Sequence, residues 1–327
     1  MSKHIKDTDY LAISARIRAM ENRLLTRERL DRMIDARDDG EARKVLSECG
    51  YREDLGLDAA LRLARAEVFR DLEHAVPDPR LVEIFQIKYD YHNAKAILKA
   101  EAVGADPARL LLAGGRYDPA ELLDRWRREE RLPGTQEFVR AMGEAKALLA
   151  DSHDPQRADL LLDRACYEEM GQLARELDSP FLQGYVRLSV DAANLRTAVR
   201  VYRMGKEGDF LRQALLPGGS VPPQAVAAAR REALDEVFAS GPLAPAARLG
   251  SRLLQAGGTL TEFERACDDA LTAYLADGRR VPFGEEPVIG YLYAREQELT
   301  AIRSIFAGRA AGLDGETIRS RLRRTYV

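Results

Sequence analysis

Asp90-Tyr91-His92-Asn93-Ala94-Lys95 is answered 101 residues later by Asp191-Ala192-Ala193-Asn194-Leu195-Arg196. The register holds outward from these two stretches. Pro79, Lys99 and Gly104 meet Pro180, Arg200 and Gly205 at the same shift, and the apolar Ile87, Tyr91, Ala94 and Leu98 meet Leu188, Ala192, Leu195 and Val199. Further along, Arg164-Ala165-Cys166 meets Arg265-Ala266-Cys267, again 101 residues on. Solenoid repeats run 20 to 50 residues, so a period near one hundred is the size of a whole domain. One helical domain has been copied along the chain, which points to a body built for shape and contact.

The shared polar residues have a direct physical reading. Asp at i and Asn at i+3 lie on one helix face, beside Lys95/Arg196 and Lys99/Arg200. A carboxylate accepts and an amide both donates and accepts, so the pair suits gripping a neighbouring helix end or an arginine. Retention in two copies with different surroundings predicts a role in fixing helix packing rather than in touching a partner. In the last third of the chain, aligning Leu299 with Leu195 places Glu298 where Asn194 stands, with Leu292, Leu299, Ile302 and Phe306 forming the apolar stripe. Arg65-Ala66 echoes the later Arg-Ala pairs at an offset of 99.

Helix punctuation is dense and strand alternation nearly absent. Tyr10, Ile13, Ile17, Met20 and Leu24 recur at steps of three and four, which predicts one apolar stripe on a first helix. Thr26 predicts the cap of a second helix through about Ala36, with Glu28 in its first turn. Asp106-Pro107, Asp118-Pro119 and Asp154-Pro155 each place a side-chain acceptor at the cap and proline at the first helical position. Asp118 with Glu121, and Thr261 with Glu264, read as capping boxes. Ala113-Gly114-Gly115, Pro217-Gly218-Gly219-Ser220 and Ala256-Gly257-Gly258 are loops by composition. The first two follow the matching segments and predict three units, 1–113, 114–220 and 221–327.

Composition narrows the class. Of 327 residues, 31% are charged and 7% aromatic, the profile of a salt-bridged helical protein long enough to fold around its own core. A net charge of −3 argues against a general nucleic-acid binder. Cys49, Cys166 and Cys267 are odd in number and far apart, which predicts buried thiols in a reducing cytosol rather than a disulfide framework. The polar stretch Met1 to Asp9 does not read as a signal peptide. No segment approaches the ~18 uninterrupted apolar residues a membrane span needs, which predicts a cytoplasmic protein with no direct transmembrane insertion.

Signatures of chemistry are missing from the sequence. No phosphate-binding G-x-x-x-x-G-K-[ST] or G-x-G-x-x-G occurs, and no G-x-S-x-G elbow. His4, His74, His92 and His153 are dispersed, without ligand spacing for zinc. Asp38-Asp39 and Asp268-Asp269 look like the magnesium-binding carboxylates of helical enzymes, yet Ala270, Leu271 and Thr272 supply no further ligand one turn on. These observations predict no catalytic residue, no cofactor and no metal. The last helix, capped by Asp314 with Ile318 and Leu322 inward, carries Arg319, Arg321, Arg323 and Arg324. These arginines complement the negative end of the helix dipole or form a basic contact patch for an acidic partner.

The pieces then add up to a resemblance. Tyr10-Leu11-Ala12-Ile13-Ser14-Ala15-Arg16-Ile17-Arg18, Lys88 through Lys95, Asp191 through Thr197, and Val281-Pro282-Phe283-Gly284-Glu285-Glu286-Pro287-Val288-Ile289-Gly290-Tyr291-Leu292 resemble the family of C subunits of V-type and A-type rotary ATPases, whose eukaryotic homologue is the V-ATPase d subunit. Glu296-Gln297-Glu298-Leu299 and the run Arg321 to Val327 extend the likeness over essentially the whole chain. The lack of long insertions is closer to the bacterial and archaeal members than to the eukaryotic homologue. Ala192-Ala193 is smaller than the family pattern at that helix, and the Arg125–Arg131 region around Trp126 is idiosyncratic.

The resemblance implies an all-α fold of three similar helical-bundle domains in a pseudo-threefold funnel. It implies a non-catalytic rotor subunit seated on the cytoplasmic face of the membrane proteolipid ring, receiving the central stalk subunits D and F and passing torque between them. Two other readings are a freestanding helical scaffold that binds peptides and an all-helical carboxylate-dependent enzyme using Asp268-Asp269.

Overall fold

A computed structural model describes residues 5–206 and 208–327; Met1 to His4 and Glu207 lie outside it, and with them the start of the polar N-terminal stretch. Among the described residues the chain is all helix, with no strand. In order the helices are α1 (Leu11–Glu21), α2 (Arg27–Asp35), α3 (Asp39–Glu48), α4 (Leu57–Ala75), α5 (Arg80–Ala102), α6 (Pro119–Arg127), α7 (Gln136–Ser152) and α8 (Pro155–Glu176). There follow α9 (Pro180–Arg203), α10 (Asp209–Ala214), α11 (Pro223–Ala228), α12 (Leu234–Val237), α13 (Ala244–Ala256), α14 (Thr261–Ala276), α15 (Glu285–Ala310) and α16 (Gly315–Arg321).

Local signals account for most starts. Thr26 accepts from Arg29 N at 3.4 Å, Asp118 from Glu121 N at 2.8 Å and Asp154 from Gln156 N at 2.9 Å, each satisfying a donor that a helix N-terminus leaves open. Two expected starts differ. Pro107 to Leu110 closes a single turn, because Asp106 is drawn to Arg127 at 2.7 Å and the chain beyond is held by Asn93. Thr261 is the first helical residue of α14 rather than its cap; Leu260 holds that position without a side-chain bond.

The long helices α5, α9 and α15 end alike. In each, a left-handed glycine (Gly104 and Gly205 at φ 65°, Gly312 at φ 68°) follows the last turn. The next residue then bonds back to the helix: Ala105 N to Ala100 O at 2.8 Å, Lys206 N to Val201 O at 3.2 Å and Leu313 N to Gly308 O at 3.0 Å. That is a Schellman closure in which only glycine sits without strain. Gly312 is therefore the counterpart of Gly104 and Gly205, out of reach of a fixed shift because α15 spans 26 residues against 23 and 24.

Two compact units divide the chain, Met1–Pro79 with Ala228–Val327, and Arg80–Ala227. These are a different cut from the register of the repeat, because α5 packs on α7 and α8 in the second unit while α15 packs on α1, α2 and α4 in the first. In the first unit a core including Met33, Val45, Leu61, Ile302, Ile305 and Ile318 joins N-terminal to C-terminal helices. The second unit is centred on α8, flanked by α5, α7 and α9, with Tyr91 and Phe138 meeting edge to face at 5.3 Å. Cys49, Cys166 and Cys267 are all buried; burial pushes the Cys166 thiol up to about 12.

Candidate functional site

The duplicated polar residues form two matching clamps within the second unit. Asn93 donates from Nδ2 to Leu112 O at 2.9 Å and accepts at Oδ1 from Leu112 N at 2.8 Å. Asn194 does the same to Leu216, at 2.9 and 2.8 Å. One helical turn back, Asp191 accepts from Ser220 N at 2.9 Å and Val221 N at 3.0 Å, while Asp90 accepts from Tyr117 N at 3.4 Å and Arg116 Nε at 2.7 Å. What the pair grips is the double-glycine loop after each long helix. A Cβ at Gly115 or Gly219 would overlap Asp90 Oδ1 or Asp191 Oδ1, so the carboxylate lies directly against bare backbone. The amide and carboxylate thus fix where the chain goes after α5 and after α9; the structural role expected of them is exercised on the following loop rather than on a neighbouring helix end, with an arginine only at Asp90.

The copies differ in one respect. Where the second offers Ser220, the first offers Arg116, whose Nη1 continues to Glu169 Oε1 at 2.7 Å. Glu169 also receives Thr135 Oγ1 at 2.9 Å and Tyr91 Oη at 2.8 Å. Two buried carboxylates share one guanidinium. Burial raises the Asp90 carboxyl to about 6, against the opposing pull of Arg116. Asp191 is also raised, by burial, with backbone N–H groups opposing. Arg116 and Glu169 have no signature within the sequence, since they meet only after α5 and α8 pack.

At the third long helix the substitution changes the chemistry but keeps the grip. Glu298, buried on α15, accepts Leu25 N and Tyr51 Oη, each at 2.5 Å, and pairs with Arg295. The backbone it holds is the α1–α2 connection at the start of the chain. The arginines of the Arg-Ala pairs also act alike: Arg164 reaches Gln213 O and Leu215 O at the end of α10, at 3.4 Å, and Arg265 reaches Ser320 O in α16 at 3.1 Å. Arg65 instead pairs with Glu296 at 2.9 Å.

The four C-terminal arginines fall into two classes. Arg319 bridges Asp31 at 2.9 Å and Asp35, tying α16 to α2, and Arg323 pairs with Asp268 at 2.7 Å. Arg321 and Arg324 are exposed, and their side chains have no partner among the described residues. Asp269 accepts the backbone N–H of Arg324 at 2.7 Å. The Asp268-Asp269 pair is therefore spent on a strap, residues 322–327, that lies along α14 and α15. Tyr326 is buried over Gly290, Arg279 donates to Tyr326 O at 3.1 Å, and its guanidinium lies 5.5 Å from the Tyr326 ring. Asp38 caps α3 at Glu41 N, 2.8 Å, and Asp39 pairs with Arg309 at 2.9 Å. Beside the strap an open groove of about 980 Å³ is lined by Tyr274, Asp277, Arg279, Arg280, Arg324 and the terminal Val327. No helix of the described residues is long and apolar enough to cross a membrane.

Against known proteins, the sequence pattern of the ATP synthase (C/AC39) subunit family matches residues 13–321. The C subunit of the V-type sodium ATPase of Enterococcus hirae is 22% identical over 325 residues, covering 97% of this chain and 99% of its own length. The C subunit of the V-type ATP synthase of Thermus thermophilus is 27% identical over 320 residues, covering 90% and 92%. The C subunit of the A-type ATP synthase of Haloferax volcanii is 28% identical over 291 residues, covering 81% and 80%.

Proposed function

This chain belongs to the ATP synthase (C/AC39) subunit family, and we propose that it is the C subunit of a V/A-type rotary ATPase and the non-catalytic coupling piece of its rotor. In this reading it seats the central stalk subunits D and F on the membrane proteolipid ring and transmits torque between them for ATP-linked proton or sodium transport. It sits peripherally on the cytoplasmic face, attached through its partners. The three sequence repeats, 1–113, 114–220 and 221–327, are its three similar helical bundles, arranged around an axis as a funnel.

The observation that carries the reading is the family match over almost the whole chain. The physical chemistry supports it. A torque adaptor needs stiffness, and each long helix grips the backbone that follows or precedes it through buried side chains, at Asn93, Asn194 and Glu298. Carboxylate pairs that suited a metal enzyme are occupied by caps and ion pairs. Exposed Arg321 and Arg324 are the proposed basic contact surface for an acidic partner; Arg319 and Arg323 beside them are held by aspartates of the same chain.

Affinity purification of the tagged full chain from its native cells tests this. Stalk and ring subunits should co-purify, and the isolated chain should hydrolyse no ATP. Nucleotide hydrolysis that follows the isolated chain through purification, or recovery without any rotary-ATPase subunit, would overturn the reading.

A further inference from the structure

Helices α5 and α8 face each other through a ladder of charges. Lys99 meets Asp159 at 2.5 Å and Lys95 meets Asp163 at 2.5 Å. The next cation on that face of α5 is Lys88, two turns from Lys95, and four residues on from Asp163 the opposing helix offers Tyr167 instead of an acid. The Lys88 ammonium lies 6.0 Å from the Tyr167 ring and 5.5 Å from the Tyr185 ring, and donates to Tyr185 Oη at 3.2 Å. Lys88 is exposed, and no carboxylate among the described residues pairs with it. Tyr185 is held in place by stacking on Phe85 at 5.7 Å.

We infer that Lys88, with Tyr167 and Tyr185 as its walls, is an anchoring point for an acidic side chain of another protein subunit. An ammonium carries three donors and the phenol takes one, which leaves the others for a carboxylate. A phosphate calls for several converging donors, such as backbone N–H groups at a helix start, and this site presents a single cation between aromatic faces. Rigid aromatic walls beside a cation are the makings of an interface hot spot. The shared architecture does not require the charge: the repeat register puts Ser189 and Tyr293, both buried, at the equivalent places on α9 and α15. The inference deepens the rotor reading by naming a contact on the coupling subunit, and rests on it only for which complex supplies the acid.

Zero-length carbodiimide coupling of the purified complex, read by peptide mass spectrometry, tests it. Lys95–Asp163 and Lys99–Asp159 supply intrachain products as internal standards. Lys88 should appear joined to an Asp or Glu of another subunit. Lys88→Arg should lose that product yet keep the association, and Lys88→Gln should weaken the association roughly tenfold, in a salt-sensitive way. Lys88 left uncoupled, or joined only to its own chain, while the standards form, would overturn the inference. A Lys88 product with a protein outside the rotary ATPase would uphold the acidic contact and overturn the rotor reading.

Discussion

Asn93 and Asn194 are the residues on which the duplicated architecture turns. Each makes two hydrogen bonds to a single backbone unit, and truncation leaves both the N–H and the C=O unmet, at Leu216 in a buried place and at Leu112 in a half-buried one. Asn93→Ala and Asn194→Ala should each cost about 2–3 kcal/mol, read as a fall in urea midpoint with the helical circular dichroism of the folded state unchanged; a loss under ~0.5 kcal/mol would mean that the loops hold themselves. Asp90 gives a second handle through pH. Its folded carboxyl protonates near 6, above the usual value of 3.8, so its contribution is fully present below about pH 4 and fades as pH rises through 6. Between pH 4 and 7 the stability of the protein relative to an Asp90→Asn variant should fall by up to about 3 kcal/mol, measured by thermal unfolding. A difference that grows with pH would contradict the burial argument.

At the scale of elements, the strap after α16 separates structural from available arginines. Arg319 and Arg323 are bound to aspartates of the same chain, so Arg319→Ala or Arg323→Ala should lower the melting temperature by a few degrees and act on partners only through that loss. Arg321→Glu combined with Arg324→Glu should leave melting unchanged and weaken recovery of rotary-ATPase subunits in a pull-down; unchanged recovery would retire that surface. How much of this was legible depended on range. The caps at Thr26, Asp118 and Asp154 act within three residues, so the sequence states them outright. The helices α5, α9 and α15 are buried on nearly all sides, which erases the one-sided stripe an amphipathic helix shows, and only the repeated register exposed their shared design. Gly312 escaped because α15 is longer, and the Arg116–Glu169 link because 53 residues lie between its ends. Asp106-Pro107 has every local mark of a helix start, and tertiary pull on both sides of it leaves one turn.

For the whole molecule the proposed role is mechanical: a rotor piece that joins the parts of a rotary ATPase. An adaptor of this kind works through close packing, since interiors at crystal-like density resist shear, and through clamps that keep loops from yielding before helices do. The most direct measurement is coupling. Membranes from cells lacking this chain, and the same membranes after the purified chain is added back, should be compared for ATP hydrolysis and for ATP-driven ion transport side by side. Without the chain, ATP hydrolysis should persist in the catalytic portion while ion transport collapses, and the added chain should restore transport. Ion transport that continues undiminished without it would contradict the coupling role.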